Sequence, residues 1–194
     1  MSEQRATTTG ATVLVVDDDR KTADLYAEFP DGYAVSTAYS GAEALEILDD
    51  TVDVVLLDRR MPTMTGDDVL RSIRERDLGC RVVMVTAADP DLDVLELPFD
   101  DYLVKPVSPD RLRDAVSQMY VRNGCDDTLQ ELFATASKMA TVESKMSLAD
   151  LESSQTYAAL GAEFDRLRAE VEARDAERDT YVEFTDEKLR SLLG

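Results

Sequence analysis

Short apolar runs recur along the first two thirds of the chain: Thr12–Val16, Ala34–Thr37, Val54–Leu57, Val82–Val85 and Tyr102–Val104. They are β-branched, and most are apolar on successive rather than alternate residues, as strands buried on both faces are. Between them stand helix starts. Ser40, with Glu43 three residues on, precedes Ala44, Leu45 and Leu48 as a capping box does. Thr65 with Asp68 repeats the device before Val69, Leu70 and Ile73. Ser108 followed by Pro109 is an N-cap with proline at the first helical position, ahead of Leu112, Val116 and Met119. Five strands alternating with helices predict an α/β fold, a five-stranded parallel sheet wound with helices on both faces.

The dipeptide Asn123-Gly124 stops the last of these helices, and no strand pattern follows it. Leu129, Leu132, Phe133, Ala136, Met139 and Ala140 form one helical stripe. Ser147 caps a further helix before Leu148. Leu160, Phe164, Leu167 and Val171 step by four, three and four, the spacing of a helix–helix seam. Arg174 and Arg178 take the next two seam positions before Tyr181 resumes it. The expected organisation is a disordered tail over 1–10, an α/β domain over 11–122 and an all-α helical hairpin over 123–194. No internal repeat of solenoid period is present.

Charge and composition narrow the chemistry. The chain carries 41 acidic and 21 basic residues, a net charge of −20, and 16 of the 21 basic residues are arginine. Such a surface disfavours nucleic acid and anionic membranes as general partners. It suits concentrated salt, where a Debye length of roughly 3 Å at 1 M screens self-repulsion, so a halophilic source is expected. The opening MSEQRATTTG has no apolar stretch and no run approaches the roughly 20 residues needed to span a bilayer. A cytoplasmic location is expected. Cys80 and Cys125 are too few and too far apart for a disulfide framework or a zinc site, and histidine is absent. That removes Ser-His, Cys-His and His-ligated metal chemistry.

Acidic residues follow two of the apolar runs: Asp17 and Asp18 after Val16, and Asp58 after Leu57. In an open parallel sheet, ligands bind beyond the carboxyl ends of the strands, where the strand order reverses. With the order 2-1-3-4-5, these carboxylates converge. Converging carboxylates repel, and a hard cation such as Mg²⁺ relieves them through one or two carboxylates with waters and phosphate oxygens. Thr86 and Lys105 end the fourth and fifth runs, adding a hydroxyl and an ammonium suited to a tetrahedral anion.

These stretches resemble the receiver domains of two-component response regulators: Val13-Leu-Val-Val-Asp-Asp-Asp19, Leu57-Asp-Arg-Arg-Met-Pro62 with Gly66, Val85-Thr-Ala87 and Asp101-Tyr-Leu-Val-Lys-Pro106. The resemblance implies a flavodoxin-like sheet and a phosphoacceptor role for Asp58. It implies Mg²⁺ held by Asp17, Asp18, Asp58 and the backbone carbonyl of Arg60. Lys105 and Thr86 would bind the phosphoryl oxygens, and Tyr102 would be a rotamer switch. The donor would be a histidine kinase, since this chain has no histidine of its own. No enzymatic role beyond self-phosphorylation and self-dephosphorylation is expected.

One departure concerns Ala87–Phe99, which is short for the fourth receiver helix and interrupted by Pro90 and Pro98. Dimerisation through that region is therefore not expected to follow the usual pattern. Asp89, Asp91 and Asp93 imitate the start of a calcium loop, but Val94 stands where that loop needs glycine. The C-terminal part resembles the HalX domain of haloarchaeal regulators in Leu129-Gln-Glu-Leu-Phe133, in Leu151-Glu-Ser153 and beyond Tyr157. Residues 123–194 hold 8 basic and 16 acidic side chains and show no basic base-reading helix. Two outputs stay open: transcriptional regulation, directly on DNA or through partners, and a protein-interaction switch acting by homodimerisation or docking.

Overall fold

The structure is a computed structural model describing residues 10–28 and 32–175. Its elements alternate through the first part of the chain: β1 (Thr12–Val16), α1 (Arg20–Tyr26), β2 (Ala34–Ala38), α2 (Gly41–Ile47), β3 (Val54–Leu57), α3 (Gly66–Glu75) and β4 (Arg81–Thr86). A 3₁₀ segment (Leu92–Glu96) leads to β5 (Asp101–Val104) and α4 (Pro109–Arg122). Helices α5 (Asp127–Glu143), α6 (Leu148–Glu152) and α7 (Gln155–Asp175) follow. The expected tail over 1–10, apart from Gly10, and the seam positions Arg178 and Tyr181 lie outside the described residues.

The strands form one parallel five-stranded sheet in the order β2-β1-β3-β4-β5, with Val16 opposite Leu57 and Leu57 opposite Met84. Alternate side chains serve opposite faces. Val13, Val15, Val54, Leu56, Val83 and Val85 join a core closed by Ala23 and Tyr26 of α1 and Leu112, Ala115, Val116 and Met119 of α4. The intervening Leu14, Val55, Leu57, Val82 and Met84 are equally buried, as are Ala44 of α2 and Val69, Leu70 and Ile73 of α3. Both faces are covered, which is why the strands carry unbroken apolar runs.

The caps hold these helices in place. Thr65 and Asp68 form a complete capping box at α3. At α2 the device is only half made: Ser40 accepts from the Glu43 amide, while the Glu43 carboxylate accepts from Tyr39, one residue earlier. Ser108 caps α4 with Pro109 in the first turn. Asn123 ends α4 and accepts from Arg81 Nε at 2.8 Å.

The chain divides into two compact units. The first runs to Ala88 and resumes over Leu103–Asn123; the second takes Asp89–Tyr102 with the chain from Gly124 onward. The sequence places a single boundary at 122/123 and does not foresee that Asp89–Tyr102 sorts with the helices. Within the second unit α5 and α7 make a hairpin. Leu129, Leu132, Phe133 and Ala136 meet Phe164 and Leu167, with Val171 and Met139 at the margin. The seam that α7 could offer to another chain is thus closed by α5 of the same chain. Arg174 turns outward to Glu170 and Asp126. The 3₁₀ segment stands where the shortened region allows no full helix, with Asp91 as its cap and Val94 fully buried. Asp89 pairs with Lys145. Asp91 therefore serves this turn and Asp89 its neighbour Lys145.

Candidate functional site

In the first unit the order of the sheet reverses between β1 and β3, and the chain leaves both strands through acidic residues. The Asp17 amide donates to the Ala38 carbonyl and the Asp58 amide to the Val16 carbonyl, so both residues continue the sheet ladder before their side chains diverge from it. Both are nearly sealed from solvent, at 3% and 6% exposure. Between them stands Lys105. Its ammonium donates to Asp17 Oδ2 at 2.5 Å and to Asp58 Oδ1 at 2.9 Å, and its backbone amide donates to the Thr86 carbonyl at 2.8 Å.

Burial pushes the Asp17 carboxyl up, above its ordinary value, against the opposing pull of Lys105. Burial also draws the Lys105 ammonium down, but its bonds to Asp17 and Asp58 outweigh that and hold it above the usual lysine value. One cation between two buried carboxylates leaves the cluster short of a positive charge. That is the setting in which a second, hard cation and an incoming anion gain most.

The remaining oxygens are directed by the loops. Asp17 Oδ1 accepts from the Asp19 amide at 3.0 Å. Asp58 Oδ2 accepts from the Arg60 amide at 2.9 Å. Thr86 is 1% exposed and its hydroxyl accepts from the Ala88 amide. The loop after Asp58 returns tightly: the Gly66 amide donates to the Arg59 carbonyl, and a Cβ at Gly66 would lie 2.2 Å from the Asp58 carbonyl oxygen. Only glycine permits that approach. Thr63 in the same loop sits at φ 68°, a strained setting for a β-branched residue.

The structure brings Asp17, Asp58, Thr86 and Lys105 to one strand edge. Asp18 is exposed, and among the described residues no three acidic groups gather as a metal cluster. Arg60 is exposed, with its amide turned to Asp58. Tyr102 is buried in the second unit, its ring tilted against Phe99 at 5.6 Å. Sequence reasoning missed Arg59, which grips Asp67 at the start of α3 through both Nε and Nη2. Two consecutive arginines after a buried strand, with an aspartate in the next helix's first turn, were the available hint.

Residues 13–117 match the model of the response regulator receiver domain. The chain belongs to the response regulators. Behind the receiver, residues 121–193 match the HalX domain. A Haloferax volcanii protein provisionally named a transcriptional regulator is 47% identical over 195 residues, covering 98% of this chain. This response regulator spans only a third of that relative's length, 33%. Among solved structures, the receiver domain of a Francisella response regulator aligns over 58% of this chain and 98% of its own, at 31% identity and TM-score 0.52. The receiver of DrrB, a Thermotoga maritima protein, in its BeF3-activated form covers 58% of this chain and 99% of its own, at 29% identity and TM-score 0.54.

Proposed function

We infer that this response regulator is switched by transfer of a phosphoryl group from a histidine kinase to Asp58. The observation that carries the reading is Lys105, whose ammonium bridges two buried carboxylates at the strand-order reversal. An Asp58 carboxylate oxygen attacks the phosphorus of the donor's phosphohistidine. A P–O bond forms, the P–N bond breaks, and the imidazole leaves with its electron pair and takes up a proton. Hydrolysis by water later returns the carboxylate and releases inorganic phosphate. Lys105 and the Thr86 hydroxyl neutralise and orient the phosphoryl oxygens, since phosphoryl transfer asks chiefly for positioning and charge. The chain is a phosphoacceptor with no other catalysis.

Hard carboxylate oxygens at a site one charge short fit Mg²⁺. Asp17 and Asp58 would hold it, with Asp18 and the Arg60 carbonyl the further donors that the family resemblance implies. The ion supplies charge neutralisation to the transferring group. The BeF3-activated DrrB receiver supports a phosphoryl-like occupant at such a site.

The output falls to the HalX unit and, by its likeness to the Haloferax protein, to transcription. A second reading, a protein-interaction switch, is favoured by the arginines of α7. Arg166 pairs with Glu163 and Glu170, Arg168 with Glu172 and Arg174 with Glu170, so their charge is already matched within the helix. A second copy or another protein would then dock on faces other than the closed seam. A cytoplasmic location accords with a chain whose two cysteines are too few for a disulfide framework; among the described residues no helix is long and apolar enough to cross a membrane.

With acetyl phosphate and Mg²⁺, intact-mass analysis should show one added phosphoryl group. Undiminished labelling of Asp58→Asn would remove Asp58 from the role.

A further inference from the structure

Arg59 follows Asp58 directly, and its guanidinium meets the Asp67 carboxylate as a fork, with Nε 3.1 Å from Oδ1 and Nη2 3.2 Å from Oδ2. The two side chains are only 12% and 20% exposed. Planar two-point pairing of this kind fixes orientation as well as distance. A pair so well covered is also screened by salt much less than an exposed one. Asp67 stands in the first turn of α3, a helix seated by Val69, Leu70 and Ile73, each fully buried. Arg59 is thus moored to a fixed element and not to another part of its own loop.

Its backbone is moored at the same place. The Arg59 carbonyl accepts from the Gly66 amide at 2.9 Å, and a Cβ on Gly66 would come within 2.8 Å of Arg59 Cα. Side chain and backbone of one residue therefore grip two consecutive residues at the start of α3. The turn between them contains Thr63 at φ 68°, a conformation that persists only where its surroundings over-determine it. The next residue is the one the site uses. The Arg60 amide orients Asp58 Oδ2 at 2.9 Å, and the Arg60 carbonyl is one of the oxygens proposed for Mg²⁺. This small ion demands near-octahedral donors, so a displacement that a looser cation tolerates lowers its affinity.

We propose that Arg59 is a positioning residue for the cation site: clamped to Asp67, it holds the backbone at Arg60, and through it the Asp58 carboxylate, in the arrangement that Mg²⁺ binds. The inference rests on the Mg²⁺ reading of this site and adds the groups that preset its geometry. Charge alone would act in the opposite direction. The Arg59 guanidinium is a cation beside Asp58, so removing it should favour a second cation by Coulomb's law. A clamp predicts the reverse, because loss of outer groups that orient metal ligands weakens binding by roughly 10–100-fold. Removing the Asp67 charge weakens Mg²⁺ on either view, so the sign of the change at Arg59 separates the two.

The test titrates the full chain with MgCl₂ in high KCl by the heat of binding, with the folding of each variant checked by thermal unfolding. Arg59→Met should weaken Mg²⁺ binding about tenfold or more. Asp67→Asn breaks the same pair from the other side and should weaken it too. The double variant should be no worse than the weaker single one, since the two side chains act as one unit. Ile73→Val thins the buried packing of α3 away from the loop; it should lower the unfolding temperature and leave Mg²⁺ affinity unchanged. Should Arg59→Met not fold, Arg59→Lys takes its place: it keeps the charge without the fork and should still bind Mg²⁺ more weakly than the wild type. If the wild type binds no Mg²⁺, the cation reading falls and this inference with it. If the wild type binds Mg²⁺ and the Arg59 variant binds it as tightly or more so, the inference alone is overturned. Losses that add in the double variant, or an equal loss in Ile73→Val, would also overturn it, by showing separate charge effects or general loosening.

Discussion

Asp17 illustrates how a single side chain is kept at a cost because of what it faces. It is buried beside Asp58, and its one cation, Lys105, is shared. Its carboxyl is held above the ordinary value chiefly by burial. A carboxyl raised in the folded state binds its proton more tightly there than in the unfolded chain. Its contribution is therefore fully present below the unfolded value and is lost as pH rises through the folded one. At pH 7 the buried charge is a net burden. Asp17→Asn should accordingly unfold at a higher temperature than the wild type at pH 7, and the advantage should narrow as pH falls into the carboxylate range. The same variant should bind Mg²⁺ more weakly. Thermal unfolding at matched salt checks the first part and titration the second; an advantage that grew on acidification would show that burial does not dominate at Asp17.

At the scale of elements, local chemistry fixes where helices begin. Thr65 and Asp68 exchange side-chain and backbone bonds at the start of α3, immediately after the loop that shapes the Asp58 site. Thr65→Ala should cost about 1 kcal/mol, as lost N-caps typically do, read as a lower denaturation midpoint with an unchanged slope. No loss would mean that the Arg59–Asp67 ion pair and the packing of Val69 and Ile73 already hold the helix start.

Signals of this local kind explain what could be read from sequence. The capping serines and threonines and the buried strands announced themselves within a few residues, and so did the acids at the ends of β1 and β3. The destination of Asp89–Tyr102 could not be read. Two prolines forbid a long helix there, but whether Val94, Leu95 and Phe99 bury against the sheet or against α5 and α7 is decided by partners tens of residues away. The Ser137–Asp101 bond spans 36 residues and left no periodic trace. The α7 seam was legible as a seam, but spacing alone does not say whether its partner helix belongs to the same chain.

For the whole molecule, the excess of 41 acidic over 21 basic residues sets how folding answers to salt. Two effects oppose each other. The exposed pairs along α7, such as Arg166 with Glu163 and Arg168 with Glu172, strengthen slightly as salt is removed, each by a few tenths of a kcal/mol at most. The unmatched acids repel, and that repulsion spreads as the Debye length lengthens from roughly 3 Å at 1 M to roughly 10 Å at 0.1 M. Acidic side chains outnumber basic ones by 20, so repulsion should win in both units: the receiver carries its share of the excess and residues 123–194 hold 8 basic against 16 acidic side chains. Lowering KCl from about 1 M to about 0.1 M should thus lower the unfolding temperature. Mg²⁺ should recover part of the loss in the wild type and less in Asp17→Asn, because only the former keeps both buried carboxylates. An unfolding temperature that held steady or rose as salt was removed would mean that local ion pairs, and not the acidic excess, govern the stability of this chain.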